Sequence, residues 1–264
     1  MTELFAPYMK DFDPISLDDL NSKAAMLNRE ENKYLVTSSK FIGTLADLQV
    51  DFDILTIDNN TAFTYRSTYF DTEDFLGYSH HNQGRTKRRF KVRTRHYIDS
   101  GLCFFEVKLK SKRGGTIKKR MPYSVDEYGT MNIIAQKFLE DSYSEIYDRT
   151  FKHTLNSQLE VNYTRITLVA KAGGERMTLD FNLTFENGTG NTPIKSFLII
   201  ETKSSNGNGI ADRIFKKHGI KSRSCSKYCL GVNLLKYNVK PNNFKPLLKL
   251  YNGLPVYQMA QNPQ

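Results

Sequence analysis

Charged and apolar side chains alternate with a period of two along much of the chain. Lys91, Arg93 and Arg95 alternate with apolar or small polar residues, and Glu106 and Lys108 alternate with a second apolar series. Successive side chains of a β-strand point to opposite faces of the sheet. Each segment therefore predicts a strand with one charged face and one apolar face. The alternation recurs at 116–121, 163–168 and 176–181, so we predict five strands that share one charged face.

Glycine-containing segments separate these alternating runs. Such segments are typical of hairpin turns, and strands that are joined by hairpins pair antiparallel. No segment in the middle of the chain resembles a linker, so we predict one domain with a mainly antiparallel sheet. The turn segments lie at 99–101, 113–115, 171–174 and 186–190.

The strand predicted at 197–203 has a different pattern. All four residues from Phe197 to Ile200 are apolar, and Glu201 and Lys203 follow on one face. A strand that is apolar on both sides is buried on both sides. We therefore predict that Glu201 is not an ordinary surface acid.

The rest of the chain adds strands and a few helices. Strands are predicted at 30–36, 54–60 and 61–71, where β-branched and aromatic residues are frequent. Helical spacing of apolar residues predicts helices that could cover the outer face of the sheet. These helices are predicted at 128–141, 209–218 and 244–250.

The two ends of the chain are predicted to differ: the first residues pack as a leader, and the last residues fray. Ser16 followed by Asp19 resembles a capping box, which predicts one short helix in a leader over residues 1–28. The last residues, 255–264, are predicted to be a frayed tail.

The net charge of the chain indicates its class of partner, and its cysteines indicate its cellular compartment. The 264 residues carry a formal net charge of +10, which favours an anionic partner such as nucleic acid, a phosphate chain or acidic lipid. Cys103, Cys225 and Cys229 form no even disulfide framework and indicate a reducing compartment. The longest apolar run, 197–200, is too short to cross a bilayer, and no signal peptide is recognised. A soluble cytoplasmic protein is expected.

The residue types on the charged face suit the binding of phosphate. Arg forks and Lys point charges hold phosphate oxygens, and carboxylates on the same face reduce cation repulsion and can hold Mg²⁺ or Mn²⁺. Phosphoryl transfer depends mainly on positioning and charge neutralisation. The sequence contains no phosphate-binding glycine loop, dinucleotide fingerprint or His-Glu-x-x-His motif. His80 and His81 are predicted to lie in a surface loop.

The order of the charged motifs resembles a known family, the VTC domain, which is the catalytic polyphosphate polymerase of the triphosphate tunnel metalloenzymes. The resemblance extends from about position 29 to position 237. The motifs are Glu31-x-Lys33-Tyr34, Tyr69-Phe70-Asp71, Arg93-x-Arg95-x-Tyr97, Glu106-x-Lys108, Lys118-x-Arg120, Tyr163-x-Arg165, Arg176-x-Thr178-x-Asp180, Glu201-x-Lys203 and Ser226-Lys227-Tyr228.

The resemblance implies a fold, a reaction and a set of site residues. The fold would be α+β and mainly β, an eight-stranded antiparallel tunnel barrel with a polar basic interior and a few flanking helices, over residues 29–254. The reaction would transfer the terminal phosphate of ATP to a growing polyphosphate chain. Glu201 would hold the metal, Mn²⁺ or Mg²⁺. Catalytic roles fall on Arg93, Arg95, Lys108, Arg165 and Arg176, and substrate-binding roles on Lys33, Lys118, Tyr163, Ser226 and Lys227.

Two alternatives remain open from the residues. A triphosphatase of the same fold would use the same cations, and a non-catalytic module could bind polyphosphate or RNA. Nucleic acid is disfavoured because Phe90, Phe105 and Phe181 fall on the face opposite the cations, whereas single-strand binders place aromatic rings among them. ATP and polyphosphate are the expected partners. Translocation of the product would need a separate membrane partner, since no insertion into a membrane is expected.

Overall fold

In a computed structural model of the protein, the described residues form eleven strands and nine α-helices. These residues are 2–23, 30–83, 88–111, 115–194, 197–235 and 237–252; the predicted tail 255–264 and positions 112–114 of one predicted turn lie outside them. The strands are β1 (Asp13–Ile15), β2 (Glu30–Thr37), β3 (Phe52–Leu55), β4 (Ala62–Asp71), β5 (Phe90–Tyr97), β6 (Leu102–Lys110), β7 (Thr116–Pro122), β8 (Asn156–Ala170), β9 (Arg176–Asn187), β10 (Gly190–Ile194) and β11 (Phe197–Ser204). The helices are α1 (Thr2–Met9), α2 (Leu17–Lys23), α3 (Ser38–Ile42), α4 (Leu45–Asp51), α5 (Leu76–Gln83), α6 (Ile133–Tyr147), α7 (Ile210–Lys217), α8 (Lys227–Leu234) and α9 (Lys245–Asn252).

Eight strands form one continuous antiparallel path in the order β2-β11-β9-β8-β4-β5-β6-β7. Short strands extend it at the sides: β10 pairs with β9, β3 pairs with β8, and β1 pairs with β3 in parallel. The protein is therefore α+β and mainly β, as the alternation predicted. The number of strands on the path also agrees with the predicted eight.

The sheet curls but is not closed by backbone pairing within the described residues. In a flat sheet, five steps of about 4.8 Å would place β6 roughly 24 Å from β11, yet Lys108 of β6 interacts electrostatically with Glu201 of β11. The described strands β2 and β7, at the two ends of the path, do not pair. Instead, the backbone N–H of Arg223 donates to the carbonyl of Lys33 at 2.7 Å. The segment before α8 thus runs beside β2.

Helices cover the outer face of the sheet, as predicted for α6 and α7, whereas α9, which was predicted to help cover it, packs on the opposite face. One outer cluster contains Phe5, Phe41 and Phe215 from α1, α3 and α7 and Phe181 from β9, all of them buried. A second outer cluster packs α6 on the apolar faces of β5 and β6, including Phe105. Burial of apolar surface stabilises each layer by about 25 cal/mol per Å².

The opposite, inner face of the sheet is charged in one part and apolar in another. Tyr228 and Leu230 of α8 pack against Leu159 and Val161 of β8 in an inner cluster. At Gly231, a Cβ atom would lie 2.6 Å from the ring of Phe185 in β9, so only glycine allows this close approach. The helix α8 therefore lies on the inner face, where it meets the charged series.

Some predicted element boundaries were wrong. The strand predicted at 54–60 ends at Leu55, because Asp58 and Asn59 adopt the left-handed conformation (φ 50° and 61°) and turn the chain. The helix predicted at 128–141 begins at Ile133, because the side chain of Asn132 accepts a hydrogen bond from the Ala135 N–H at 2.8 Å and caps it.

Other local predictions had mixed outcomes. Ser16 accepts a hydrogen bond from the Asp19 N–H at 3.1 Å, and the predicted helix follows as α2. The helices predicted at 209–218 and 244–250 correspond to α7 and α9. His80 and His81 lie on helix α5, not in a loop, and one ring nitrogen of each is buried without a hydrogen-bond partner in the described residues.

No helix in the described part of the chain is long and apolar enough to cross a membrane.

Candidate functional site

The inner face collects the predicted site residues through strand parity and through α8. Register pairs Arg93 with Glu106, Lys108 with Lys118, and Glu201 with Lys33 on neighbouring strands. Side chains that are paired in register point to the same face. Hydrogen bonds, salt bridges, ring contacts and electrostatic interactions connect the residues into three groups, which centre on Glu106, Asp180 and Glu201.

Glu106 is the carboxylate at the centre of the first group. It is 1% exposed, accepts a hydrogen bond from Arg93 Nε at 2.6 Å and forms a salt bridge with Lys118. Burial alone would raise the pKa of Glu106, but Arg93, Arg95 and Lys118 hold that pKa far below its ordinary value. Tyr69 accepts from Arg93 Nη1 at 3.0 Å. The guanidinium of Arg93 is therefore fixed from two sides.

Asp180 centres the second group and is completely buried. Arg165 donates to its two carboxylate oxygens at 2.6 and 2.8 Å, in the forked geometry that favours Arg over Lys. Lys227, the first residue of α8, forms a salt bridge with the same carboxylate. Burial raises the pKa of Asp180, but Arg165 and Lys227 outweigh it and lower the pKa. The start of α8 is thereby attached to β9.

The third group is a ring of two carboxylates and two lysines on β2 and β11. Glu201 lies 2.8 Å from Lys203 and 3.5 Å from Lys33. Glu31 contacts the same two lysines. Burial would raise the pKa of Glu201, but Lys203, Lys33 and Lys108 hold it well below its ordinary value. Glu201 therefore stays ionised because of these cations. Its side chain is 20% exposed, so it is not an ordinary surface acid, as predicted.

Two lysines on the inner face form no salt bridge within the described residues. Lys108 makes no hydrogen bond or salt bridge there, and burial together with Arg93 lowers its pKa well below the ordinary value. Lys91 donates to Ser226 Oγ at 2.9 Å, and burial lowers its pKa. Such cations favour the approach of an anion, which would relieve their repulsion.

Arg95 and Arg176 complete the predicted cations. Arg95 is 6% exposed and donates from Nε to Ser67 Oγ at 3.2 Å. Arg176 lies opposite Lys203 in the register of β9 and β11. Both therefore belong to the charged face.

Tyrosine rings lie on the charged face, whereas Phe90, Phe105 and Phe181 pack in the outer clusters, as predicted. Tyr163 stacks on Tyr65 with ring centroids 5.2 Å apart, and Lys227 and Arg165 lie 4.9 and 5.4 Å from the Tyr163 centroid. The hydroxyl of Tyr163 is buried and has no hydrogen-bond partner in the described residues. These rings support cations and one another, a use that is different from stacking on open bases.

Sequence reasoning missed the roles of several residues near the site. The alternation placed Lys91 on the charged face beside Arg93, but no role in the site was predicted for it. Asp71 accepts hydrogen bonds from the N–H groups of Gly77 and Tyr78 at 2.7 and 2.8 Å and from the hydroxyl of Tyr228. The Tyr-Phe-Asp motif thus connects β4 to α5 and α8, a long-range contact that sequence spacing does not reveal.

The carboxylates suit a metal that shares its ligands with a substrate. The described residues contain no cluster of three or more His, Cys, Asp or Glu side chains of metal-binding geometry. Glu201 and Glu31 are nevertheless two carboxylates beside the same lysines. Mg²⁺ is commonly held by one or two carboxylates together with substrate phosphates and waters. The donor set therefore fits a shared metal better than a closed protein site.

The fold and the charged face define a mainly β protein with an inner face built for anions. The family model of the VTC domain matches residues 28–236. The chain therefore belongs to the VTC domain family, which confirms the resemblance of the ordered motifs.

Among solved structures, a candidate adenylate cyclase from Bacillus halodurans is 13% identical, with a TM-score of 0.46, over 80% of this chain and 100% of that one. The HpAC1 protein from Hippeastrum, described as an adenylyl cyclase candidate with a dominant triphosphatase activity, is 15% identical, with a TM-score of 0.42, over 77% of this chain and 94% of that one. The PH1819 protein from Pyrococcus horikoshii OT3 is 15% identical, with a TM-score of 0.42, over 78% and 97%. No curated protein matches the chain significantly.

Proposed function

We propose that the chain is a metal-dependent polyphosphate polymerase that transfers the terminal phosphate of ATP to a growing polyphosphate chain. The more general statement, that the chain is an enzyme that acts on triphosphates, follows from its membership of the VTC domain family. The observation that carries the proposal is the convergence of cations from seven strands and α8 on one face that also holds Glu201.

The predicted site residues have two different roles in this proposal. Arg93 and Arg165 are held rigidly by Glu106 and Asp180, so they can neutralise charge that develops on a transferring phosphate without reorganising. Lys108, like Lys91, forms no salt bridge within the described residues and would hold ground-state phosphate oxygens.

The remaining cations would position the phosphate chain on the inner face. Arg95 and Arg176 lie on neighbouring parts of it. Lys33, Lys118 and Lys227 form salt bridges with its carboxylates. Tyr163 and Ser226 support Arg165 and Lys91, respectively.

Glu201, together with Glu31, would hold Mn²⁺ or Mg²⁺. When bound, the metal would neutralise phosphate charge and orient the oxygens for in-line transfer. Because both carboxylates contact Lys33 and Lys203, these lysines would have to share them with the metal, and the triphosphate would supply their compensating charge.

The cell compartment and the further partners belong to the same proposal. The three cysteines are free and buried, which supports a cytoplasmic location. Transfer of product across a membrane would require a separate membrane protein.

One incubation with ATP, together with a measurement of triphosphate binding, distinguishes the three candidate functions. Purified protein is mixed with ATP and Mn²⁺, and long phosphate chains are resolved from free phosphate. Long chains support the polymerase. Free phosphate without chains would instead identify a triphosphatase, and tight binding of triphosphate without either product would identify a binding module.

A further inference from the structure

The positive charge of the chain is concentrated in its last sixty residues. Residues 205–264 contain ten lysines and arginines and one acid, Asp212, whereas residues 1–204 contain 28 lysines and arginines and 27 acids. Of the charged residues predicted for the site, Lys227 alone lies in this segment. Most of the excess charge therefore serves some purpose other than the inner face. A one-sided excess of this kind indicates contact with a polyanion.

A groove of about 200 Å³ lies between the segment before α8 and the beginning of α9. Arg223 lines it, and Lys221 and Lys245 are exposed beside its lining residues. Within the described residues, none of these three cations forms a salt bridge. The other lining residues are Ser222, Ser224, Asn243, Pro246 and Leu247.

The groove adjoins the charged inner face. The N–H of Arg223 donates to the carbonyl of Lys33 at 2.7 Å, so the groove wall is attached to a strand of the site. Three residues later, Ser226 contacts Lys91 and is followed by Lys227, which contacts Asp180. Three extended residues span at most about 10 Å. An anion that leaves the inner face near Lys33 would therefore meet Arg223 within a short distance.

We infer that this groove is a second anion-binding site, which takes the part of an inorganic phosphate chain that extends beyond the inner face. A guanidinium, two hydroxyls and an amide supply the donors that phosphate oxygens require. The site adds a preference for chain length, because a triphosphate is held by the inner face whereas a longer chain also reaches the groove. The class of ligand rests on the proposed function.

An anionic membrane is the main competitor for this surface. A helix that lies on a membrane needs a free apolar face. In α9, Leu247 is buried in the inner cluster and Leu248 packs against it. The apolar side of α9 is thus already occupied, and the observations favour a phosphate chain.

Equilibrium binding of two phosphate chains tests the inference without turnover. The groove variant carries Lys221→Gln, Arg223→Gln and Lys245→Gln, and the control carries Lys10→Gln, Lys40→Gln and Lys152→Gln, which remove the same charge from other exposed positions. The groove variant should bind long-chain polyphosphate on the order of tenfold more weakly than the control, as three exposed ion contacts would give. Its salt dependence should also be shallower, by about two in the logarithmic slope. Tripolyphosphate affinity should stay within about twofold in both variants.

Two outcomes would overturn the inference. If the groove variant and the control lose the same affinity for long chains, the loss is caused by the lower net charge of the protein and not by the groove. Unchanged polyphosphate binding together with weaker binding to phosphatidylserine vesicles would assign the surface to a membrane. Failure of the proposed function is distinguishable, because it would appear as an absence of product from ATP in the wild-type protein.

Discussion

At the scale of single residues, cations surround each carboxylate of the three inner-face groups. Glu106, Asp180 and Glu201 each contact at least two cations. Their pKa values are all lowered although burial opposes ionisation. The carboxylates therefore remain charged at neutral pH and hold the cations together before any substrate binds.

Replacing Glu201 with Gln separates metal-dependent turnover from phosphate binding. If Glu201 holds the metal, Glu201→Gln should lower turnover with Mn²⁺ by on the order of 10²-fold to 10³-fold, comparable to loss of one preorganised electrostatic group. Affinity for tripolyphosphate without metal should rise, because one negative charge beside Lys33 and Lys203 is removed. Turnover assays and metal-free calorimetry measure both effects. Glu145→Gln, at an exposed acid on α6, is the charge-matched control; unchanged metal dependence in Glu201→Gln would exclude the assignment.

The lowered pKa of Lys118 predicts how the affinity for triphosphate depends on pH. Burial lowers the pKa of Lys118 to about 8, although Glu106 opposes this shift. The lysine is therefore charged below this pKa and loses its charge as pH rises through it. Affinity for tripolyphosphate should be greatest below about pH 8 and fall above it. Lys118→Arg should move the alkaline decline to higher pH, because Arg stays protonated. Identical affinity profiles for the two proteins between pH 7 and 10 would contradict this role.

At the scale of elements, α8 connects the site to the rest of the fold. Lys227 binds Asp180 on β9, and Tyr228 binds Asp71 at the end of β4. Burial is the main cause that raises the pKa of Asp71, and the Tyr228 hydroxyl opposes it. The close approach at Gly231 places the same helix against β9. Strands β4 and β9 and helix α5 therefore depend on the position of one two-turn helix.

A methyl group at Gly231 should displace α8 and weaken the site. The Cβ atom of Gly231→Ala would lie 2.6 Å from the Phe185 ring, and such overpacking costs about 1–3 kcal/mol of unfolding free energy. Denaturant unfolding should show this loss, and tripolyphosphate affinity should fall because Ser226 and Lys227 move with the helix. Gly188→Ala is the matched control, since nothing lies within 4 Å of its added methyl group. Equal stabilities of the two variants would show that α8 can shift without cost.

At the scale of the whole molecule, the curled sheet brings together more positive than negative charge. The cations come from strands that are distant in sheet order, so their repulsion opposes the curl itself. An anion that fills the inner face would remove this opposition and bind the folded state alone. The protein therefore should be more stable with a phosphate chain than without one.

Tripolyphosphate should raise the melting temperature. At about one hundred times its dissociation constant, a ligand that binds only the folded state adds about 2.7 kcal/mol, which corresponds to on the order of 5–10 °C for a chain of this size. Differential scanning calorimetry at fixed ionic strength measures the shift. Lys108→Gln should reduce the shift, and the Lys10→Gln variant should keep it. A rise that chloride reproduces at the same ionic strength would indicate general screening instead.

The sequence by itself determined the local pattern of the protein. The period of two assigned Arg93, Lys108 and Arg165 to one face, because side-chain direction in a strand depends only on the neighbouring backbone. The ordered motifs were sufficient for the family, and the apolar run before Glu201 indicated its partial burial. Helices α7 and α9 were also predictable, because their apolar spacing is local.

Only the tertiary structure decided how these elements meet. The curl of the sheet, the unpaired edges of β2 and β7 in the described residues, and the position of α8 on the inner face depend on contacts between distant segments. The stacking of Tyr163 on Tyr65 and the pairing of Arg165 with Asp180 have the same origin. Local periodicity states which side of a strand a residue occupies. It contains no information about which strand or helix lies opposite, because that choice is made by the packing of the whole chain.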